Sequence, residues 1–243
     1  MLRWIDDSTP LPLAHSALGG ASDAPGLVAA GGSLSVARLD EAYGKGIFPW
    51  YSPGQPVLWW SPDPRMVLHT AQFKLSHSLK KALRRFLRTP GTALRFDGDF
   101  RAVMTQCAQT PRKGQHGTWI VPAMVDAYCQ WHAAGRVHCV ETWVDDTLVG
   151  GLYFVHIGRM CFGESMFSHQ TDASKIALAA LVAACLARNI PLIDCQQNTA
   201  HLASLGAVEI TRAAFLAHLA RTQSQPAPAL WTYDEAAWSL LGV

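Results

Sequence analysis

Five prolines within sixteen residues (Pro49, Pro53, Pro56, Pro62 and Pro64) limit what the first quarter of this chain can become. Each lacks a backbone N–H and holds φ near about −65°, so neither a long helix nor a central strand can run through them. The surrounding stretch from Leu27 to Leu68 is also dense in glycine and aromatic residues. Ser35 can cap a short helix that carries Arg38, Leu39 and Tyr43 and stops at Gly44. The expectation is a small, loop-rich N-terminal domain over residues 1–71, filled by Phe48, Trp50, Trp59 and Trp60.

Residues 72–243 change character. In KLSHSLKKALRRFLR, Leu75, Leu79, Leu83 and Phe86 recur at helical spacing. Lys80, Lys81, Arg84, Arg85 and Arg88 fall on the opposite face, with no acidic residue between Lys74 and Arg88. A solvated face usually mixes signs; this one reads either as such a face or as a surface for phosphates. Pro122 suits a first helical turn, and the helix it opens ends at Gly135. Three strand-like runs follow, Val137 to Val144, Leu148 to His156 and Arg159 to Phe167, with turns at Asp145-Asp146 and Ile157-Gly158. A long apolar helix from Ala173 leads through Pro191 into the strand LIDCQ, and two shorter helices lie near His201 and Arg212. This order predicts an α+β (α/β) fold with a crossover βαβ unit.

Composition bounds the function. With 49% hydrophobic and 16% charged residues and a net charge of +2, the chain reads as a soluble globular enzyme, and nucleic acid would be met by local patches. The first thirty residues lack a basic segment followed by an apolar one, so no secretory signal is expected. The longest apolar run, Ile176 to Ala187, is shorter than the ~20 residues that cross a bilayer. Six cysteines without a CxxC pair read as buried, reduced thiols, and ten scattered histidines give no metal-ligand spacing.

A phosphate-loop motif is missing, GKGIFP cannot serve as a dinucleotide fingerprint, and GESMF lacks the second glycine of a nucleophile elbow. The positive signal is Asp194-Cys195-Gln196 in an interior strand. Alternation places Asp194 and Gln196 on one face and Cys195 on the other. A carboxylate and an amide buried side by side must pair or bind something, so structure and function both remain open. Glu164 poses the same question among Phe162, Met166 and Phe167, and Gly163 beside it allows a ligand or another backbone to approach closely. Leu178, Leu181 and Cys185 form an apolar stripe that can face Ile193 and Leu152, which by itself reads as core.

Seven strings carry a resemblance: GIFPWYSPGQPVLWWSPDPR, GTWI, LVGGLY, FGESMFS, ASK, LIDCQ and HLASLGA, in order over roughly residues 25 to 215. Together they resemble the leucyl/phenylalanyl-tRNA–protein transferase family. The resemblance implies a small N-terminal domain leaning on a GNAT-type acyltransferase domain, with no cofactor. It implies catalytic roles for Asp194, Gln196 and Glu164. Tyr43, Trp50 and Trp119 would hold the 3′-terminal adenosine and its aminoacyl group, and Leu152, Leu178, Leu181, Cys185 and Ile193 would line the pocket for the transferred side chain. The implied partners are tRNA charged with Leu, Phe or Met and proteins beginning with Arg or Lys, in a cytoplasmic N-end-rule pathway without a membrane. Asp172 stands where the family often has Asn, and Cys161 and Cys185 stand where bulkier residues are common, which leaves the favoured amino acid open.

On this reading Asp194 orients Gln196, whose carbonyl holds the incoming amine, while Glu164 or Asp172 reads the cationic acceptor. Lys80, Lys81, Arg84, Arg85 and Arg88, with Arg112 and Lys113, would meet acceptor-stem phosphates. Three rivals stand beside it. An acetyl-CoA-dependent GNAT enzyme would need a glycine-rich pyrophosphate loop, which SHQTDASK does not supply. A non-catalytic tRNA- or degron-binding module gives no reason to bury Asp194 with Gln196. A cysteine enzyme would be built on Cys195 and His201.

Overall fold

The computed structural model describes residues 2–110 and 119–243. Two mixed sheets organise it. The smaller has four strands, β1 (Trp4–Ile5), β2 (Leu27–Gly31), β3 (Phe48–Pro49) and β4 (Leu58–Trp60), in the order β1-β2-β4-β3. Helix α1 (Val36–Gly44) connects β2 to β3, and Ser35 Oγ accepts from the Arg38 N–H at 3.2 Å, the cap expected from the sequence. The proline-rich stretch therefore yields strands of two or three residues at β3 and β4.

The larger sheet runs β11-β5-β10-β9-β8-β7-β6. Its strands are β5 (Arg65–His69), β6 (Thr92–Phe96), β7 (Val137–Val144), β8 (Thr147–Ile157), β9 (Met160–Ser168), β10 (Leu192–Gln196) and β11 (Val208–Ile210). The antiparallel meander β7-β8-β9 matches the three runs read from the sequence. Strand β5 lies inside the 1–71 stretch set apart by composition, yet it pairs with β10 and β11, so sheet membership changes between Trp60 and Arg65.

Helices pack on both faces. One face carries α2 (His77–Arg88) and α5 (Ala173–Ala187), the other α3 (Phe100–Gln109) and α4 (Pro122–Ala133), while α6 (Ala200–Ser204) and α7 (Arg212–Thr222) follow β10 and β11. Helix α5 is buried from Ile176 to Cys185 because the sheet covers one side and Ala237 and Trp238 of the C-terminal segment cover another. An all-round apolar helix is stable only in such a position. Parallel strands β9 and β10 flank α5 in the chain, as the βαβ reading required.

The two sheets share one core. Trp59 and Leu39 from the smaller unit pack in the same cluster as Tyr128, Trp131 and Phe162. Buried Tyr43 Oη lies 2.7 Å from Tyr128 Oη, and Trp131 Nε1–H donates to Asp40 at 2.9 Å. Gly46, at φ 72°, closes the joint: a Cβ there would lie 2.6 Å from Leu216 Cδ2. Six cysteines are free, four of them buried.

Candidate active site

Two β-bulges shape the site. On β9, Tyr153 pairs with Ser165 but Phe154 pairs with Gly163, so Glu164 has no partner on β8. On β10, Asp194 pairs with Val67 and Gln196 with the adjacent Met66, so Cys195 is the extra residue, and Gln196 takes a left-handed φ of 57°. A bulge interrupts the pleat and re-aims side chains, which places bulges beside many active sites. Strands β9 and β10 pair only at Cys161–Ile193 and Phe162–Asp194, and the cavity opens where that pairing stops.

The alternation expected for Asp194-Cys195-Gln196 is thereby overturned. Cys195 and Gln196 both line the cavity, while Asp194 is turned into the protein at 0% exposure. There its oxygens accept from Arg65 Nε–H at 2.8 Å and Nη2–H at 2.7 Å. Arg65 is itself enclosed, with Gly46 O accepting from Nη1–H at 3.3 Å and the Phe48 and Phe215 rings 4.9 and 4.4 Å from its guanidinium. This pair joins β5, β10, α7 and the small sheet at one point. Asp194 also accepts the Gln196 backbone N–H at 3.1 Å, so its hold on Gln196 runs through the main chain.

The cavity, about 520 Å³, has three zones. Leu152, Met166, Leu178, Leu181 and Ile193 give it an apolar wall, and Phe48, Trp50 and Trp119 an aromatic one. Glu164, Ser165, Gln196, Gln197, Thr199 and His201 form the polar edge. Gln196 Nε2–H donates to Glu164 Oε1 at 3.5 Å, a long bond that leaves both groups capacity for a ligand. Among the described lining residues Glu164 is the single carboxyl group. Burial, followed by the charge of Asp194, pushes it up to about 8 against a bond from Tyr43, so it holds its proton at neutral pH.

Other residues read from the sequence stand apart from the cavity surface. Tyr43 is fully buried behind Glu164 and bonded to Tyr128. Cys185 is buried against Cys161 on the far side of the wall. Asp172 is paired with Lys175 at 2.8 Å. The five basic residues of α2, joined by His77 and Thr89, line a separate open hollow of about 540 Å³ on its outer face, while Leu79 and Leu83 face the core. Arg112 and Lys113 lie outside the described residues. Phe48 and Met166 read from the sequence only as packing residues, and Arg65 and Thr199 carry no separate signal as site residues; Arg65 meets Asp194 only through the sheet, across 129 positions.

Metal-ligand types do come together elsewhere. Asp97, His132 and His138 place donor atoms within 4.8 Å of one another. Those atoms already serve the fold: His138 Nδ1 lies 2.6 Å from Asp97 Oδ2, His132 Nδ1 lies 2.7 Å from Val137 O, and the Cys139 N–H donates to Asp97 at 2.8 Å. Among the described residues no helix is long and apolar enough to cross a membrane.

Comparison with known proteins decides the family. Residues 67–220 match the leucyl/phenylalanyl-tRNA protein transferase family, and residues 32–63 match that family's N-terminal domain. This chain belongs to the leucyl/phenylalanyl-tRNA protein transferase family. Among its relatives, a leucyl/phenylalanyl-tRNA–protein transferase from Methylibium petroleiphilum is 65% identical over 99% of this chain and 91% of that protein. Proteins of the same name from Leptothrix cholodnii and a Polaromonas species are 61% and 58% identical, over 100% and 97% of this chain and 96% and 92% of theirs. Both bulges and the α2 basic face fall within the matched region.

Proposed function

We propose that this chain transfers leucine, phenylalanine or methionine from its tRNA to the N-terminus of an acceptor protein beginning with Arg or Lys. The observation that carries this reading is the cavity itself: an apolar recess bordered by the Glu164–Gln196 pair and faced by Trp50 and Trp119. An apolar recess separates small differences in hydrocarbon shape poorly, so Leu, Phe and Met can share it. The indole rings suit the terminal adenine, and the α2 face suits acceptor-stem phosphates, which add affinity without reading bases.

The reaction is aminolysis of an ester by an α-amine, whose pKa is about 7.7–8.0, so a useful fraction is neutral near physiological pH. Holding the two ends in register supplies much of the acceleration. Gln196 accepts the incoming N–H through its amide oxygen. Asp194 acts as a positioning residue: bound to Arg65, it fixes the bulge that aims Gln196. Glu164 meets the cationic end of the acceptor or the ammonium of the transferred residue, since a nearby positive charge favours its carboxylate form.

Acetyl-CoA is disfavoured by the start of α5. The Ala173 and Ser174 N–H groups already donate to Gln170 O at 3.2 Å and to Ser168 Oγ at 3.3 Å, and the Asp172 carboxylate stands beside them. That leaves few amides for a pyrophosphate. The C-terminal unit fits a GNAT-type acyltransferase, with its donor entering where β9 and β10 part. The product carries a new apolar N-terminus, the mark read in cytoplasmic N-end-rule degradation.

The test offers labelled Leu-tRNA, Phe-tRNA, Met-tRNA and acetyl-CoA in parallel to a reporter beginning with Arg. Label is expected on the reporter from the charged tRNAs alone, and not on the same reporter beginning with Gly. Label from acetyl-CoA alone, or from none, would falsify the assignment.

A further inference from the structure

Aminolysis moves one proton from the attacking nitrogen to the ribose oxygen that leaves, and four side chains beside the reacting atoms are poorly suited to carry it. Asp194 has both oxygens committed to Arg65. Gln196 is a neutral amide. Glu164 holds its proton unless a cation stands beside it, and the carboxylate form that a cationic end favours is tied to that charge. Burial, followed by the charge of Asp194, holds the Cys195 thiol far above its usual range.

Among the described lining residues His201 is the single imidazole, the side-chain type that takes up and returns a proton near neutral pH. It sits in the first turn of α6, opened by Thr199, whose Oγ1 accepts from the Leu202 N–H at 3.2 Å. The three residues Gln197, Asn198 and Thr199 turn the chain at the end of β10, so that Gln196 and His201 border the same space. The imidazole is exposed at the rim, and its ring makes no hydrogen bond to a described residue. Partial burial and the charge of Lys175 lower its pKa from the ordinary 6.5, which keeps the ring neutral at physiological pH.

We propose that His201 is the proton-transfer residue of this site: its imidazole takes the proton from the attached amine once the N–C bond has formed and gives it to the ribose oxygen as the C–O bond breaks. The step balances without a co-reactant. Ester and amine become amide and alcohol, and the imidazole returns to its starting form. This role rests on the transfer from charged tRNA proposed for the cavity, and it adds the group that completes that chemistry.

The experiment compares wild type, His201→Ala and His201→Gln in the charged-tRNA assay, at saturating acceptor and across pH. Both variants are expected to lose about 100-fold in kcat, the low end for general acid–base catalysis, with KM for the charged tRNA nearly unchanged. At low pH wild type loses rate through both the α-amine and the His201 ring, so the acid limb of kcat against pH is expected to be shallower in His201→Gln, where only the amine titrates, and added imidazole is expected to restore part of the His201→Ala rate. A kcat within about twofold of wild type, or a raised KM at unchanged kcat, overturns the proposal. So does a slow variant whose acid limb is as steep as that of wild type and whose rate ignores imidazole. Wild type that transfers nothing would instead sink the transferase reading, so the two failures are distinct.

Discussion

Replacing Asp194 with asparagine separates a structural joint from a proton acceptor. The substitution conserves volume, so no cavity opens. It removes the charge from a side chain at 0% exposure whose partner, Arg65, is at 1%. Arg65 then keeps its charge between Phe48 and Phe215 with Gly46 O and one amide oxygen as acceptors, and the new amide N–H₂ meets a guanidinium N–H. Removing one partner of a buried pair costs about 3–5 kcal/mol, and a chain of this length shifts its Tm by about 2–4 °C per kcal/mol, so a fall of roughly 6–20 °C is expected. Circular dichroism during heating near neutral pH measures it. The double variant Arg65→Met with Asp194→Leu, which removes both charges, should regain most of the loss and stay slow in transfer, because the Gln196 N–H has lost its acceptor. A Tm for Asp194→Asn within about 2 °C of wild type would refute the reasoning.

Glu164 binds its proton more tightly in the folded chain than in the unfolded one. The stability this adds is complete below about 4.5 and is lost as pH rises through about 8. Glu164→Gln stays neutral throughout, so its unfolding free energy should gain on wild type from acid to mildly alkaline pH, by at most about 1.4 kcal/mol per pH unit, with Tm rising in step; a constant difference contradicts the burial argument. Reversing Lys81, Arg84 and Arg85 to Glu should raise the tRNA KM and reduce its salt slope by roughly one for each phosphate no longer neutralised, whereas an unchanged KM would clear α2 of any role. Cys195→Ser should retain transfer within about threefold, since the thiol lines the cavity but is held protonated; a loss of about 100-fold would restore the cysteine-enzyme reading.

What the sequence discloses depends on how local the physics is. The α2 stripe, the meander from Val137 to Ser168 and the apolar α5 follow from periodicity and turn residues within a few positions, and their ends agree with the structure to within two or three residues. Composition locates the small N-terminal unit but not its sheet, whose strands pair residues such as Leu27 and Trp60. Strand β5 is concealed by the prolines before it, whereas α3 buries Phe100, Val103, Met104 and Cys107 at helical spacing behind its Asp99 cap, a stripe the residues do carry. At the site, Glu164, Gln196, Trp50 and Trp119 are legible as residues, and the apolar wall as a stripe. Their arrangement is not. A strict two-residue alternation cannot represent a bulge, and both bulges sit where it matters, at Glu164 and Cys195. Arg65 is one more charge in SPDPR until the sheet brings it to Asp194.

The most direct measurement is a crystal structure of the protein with a hydrolysis-resistant phenylalanyl-adenosine amide. The phenyl ring is expected among Leu152, Leu178, Leu181 and Ile193, the adenine against Trp50 or Trp119, and the amide beside Gln196. A ligand bound with its phenyl ring outside that recess, or an adenosine on the α2 face with the recess empty, would contradict the assignment of this cavity as the donor site.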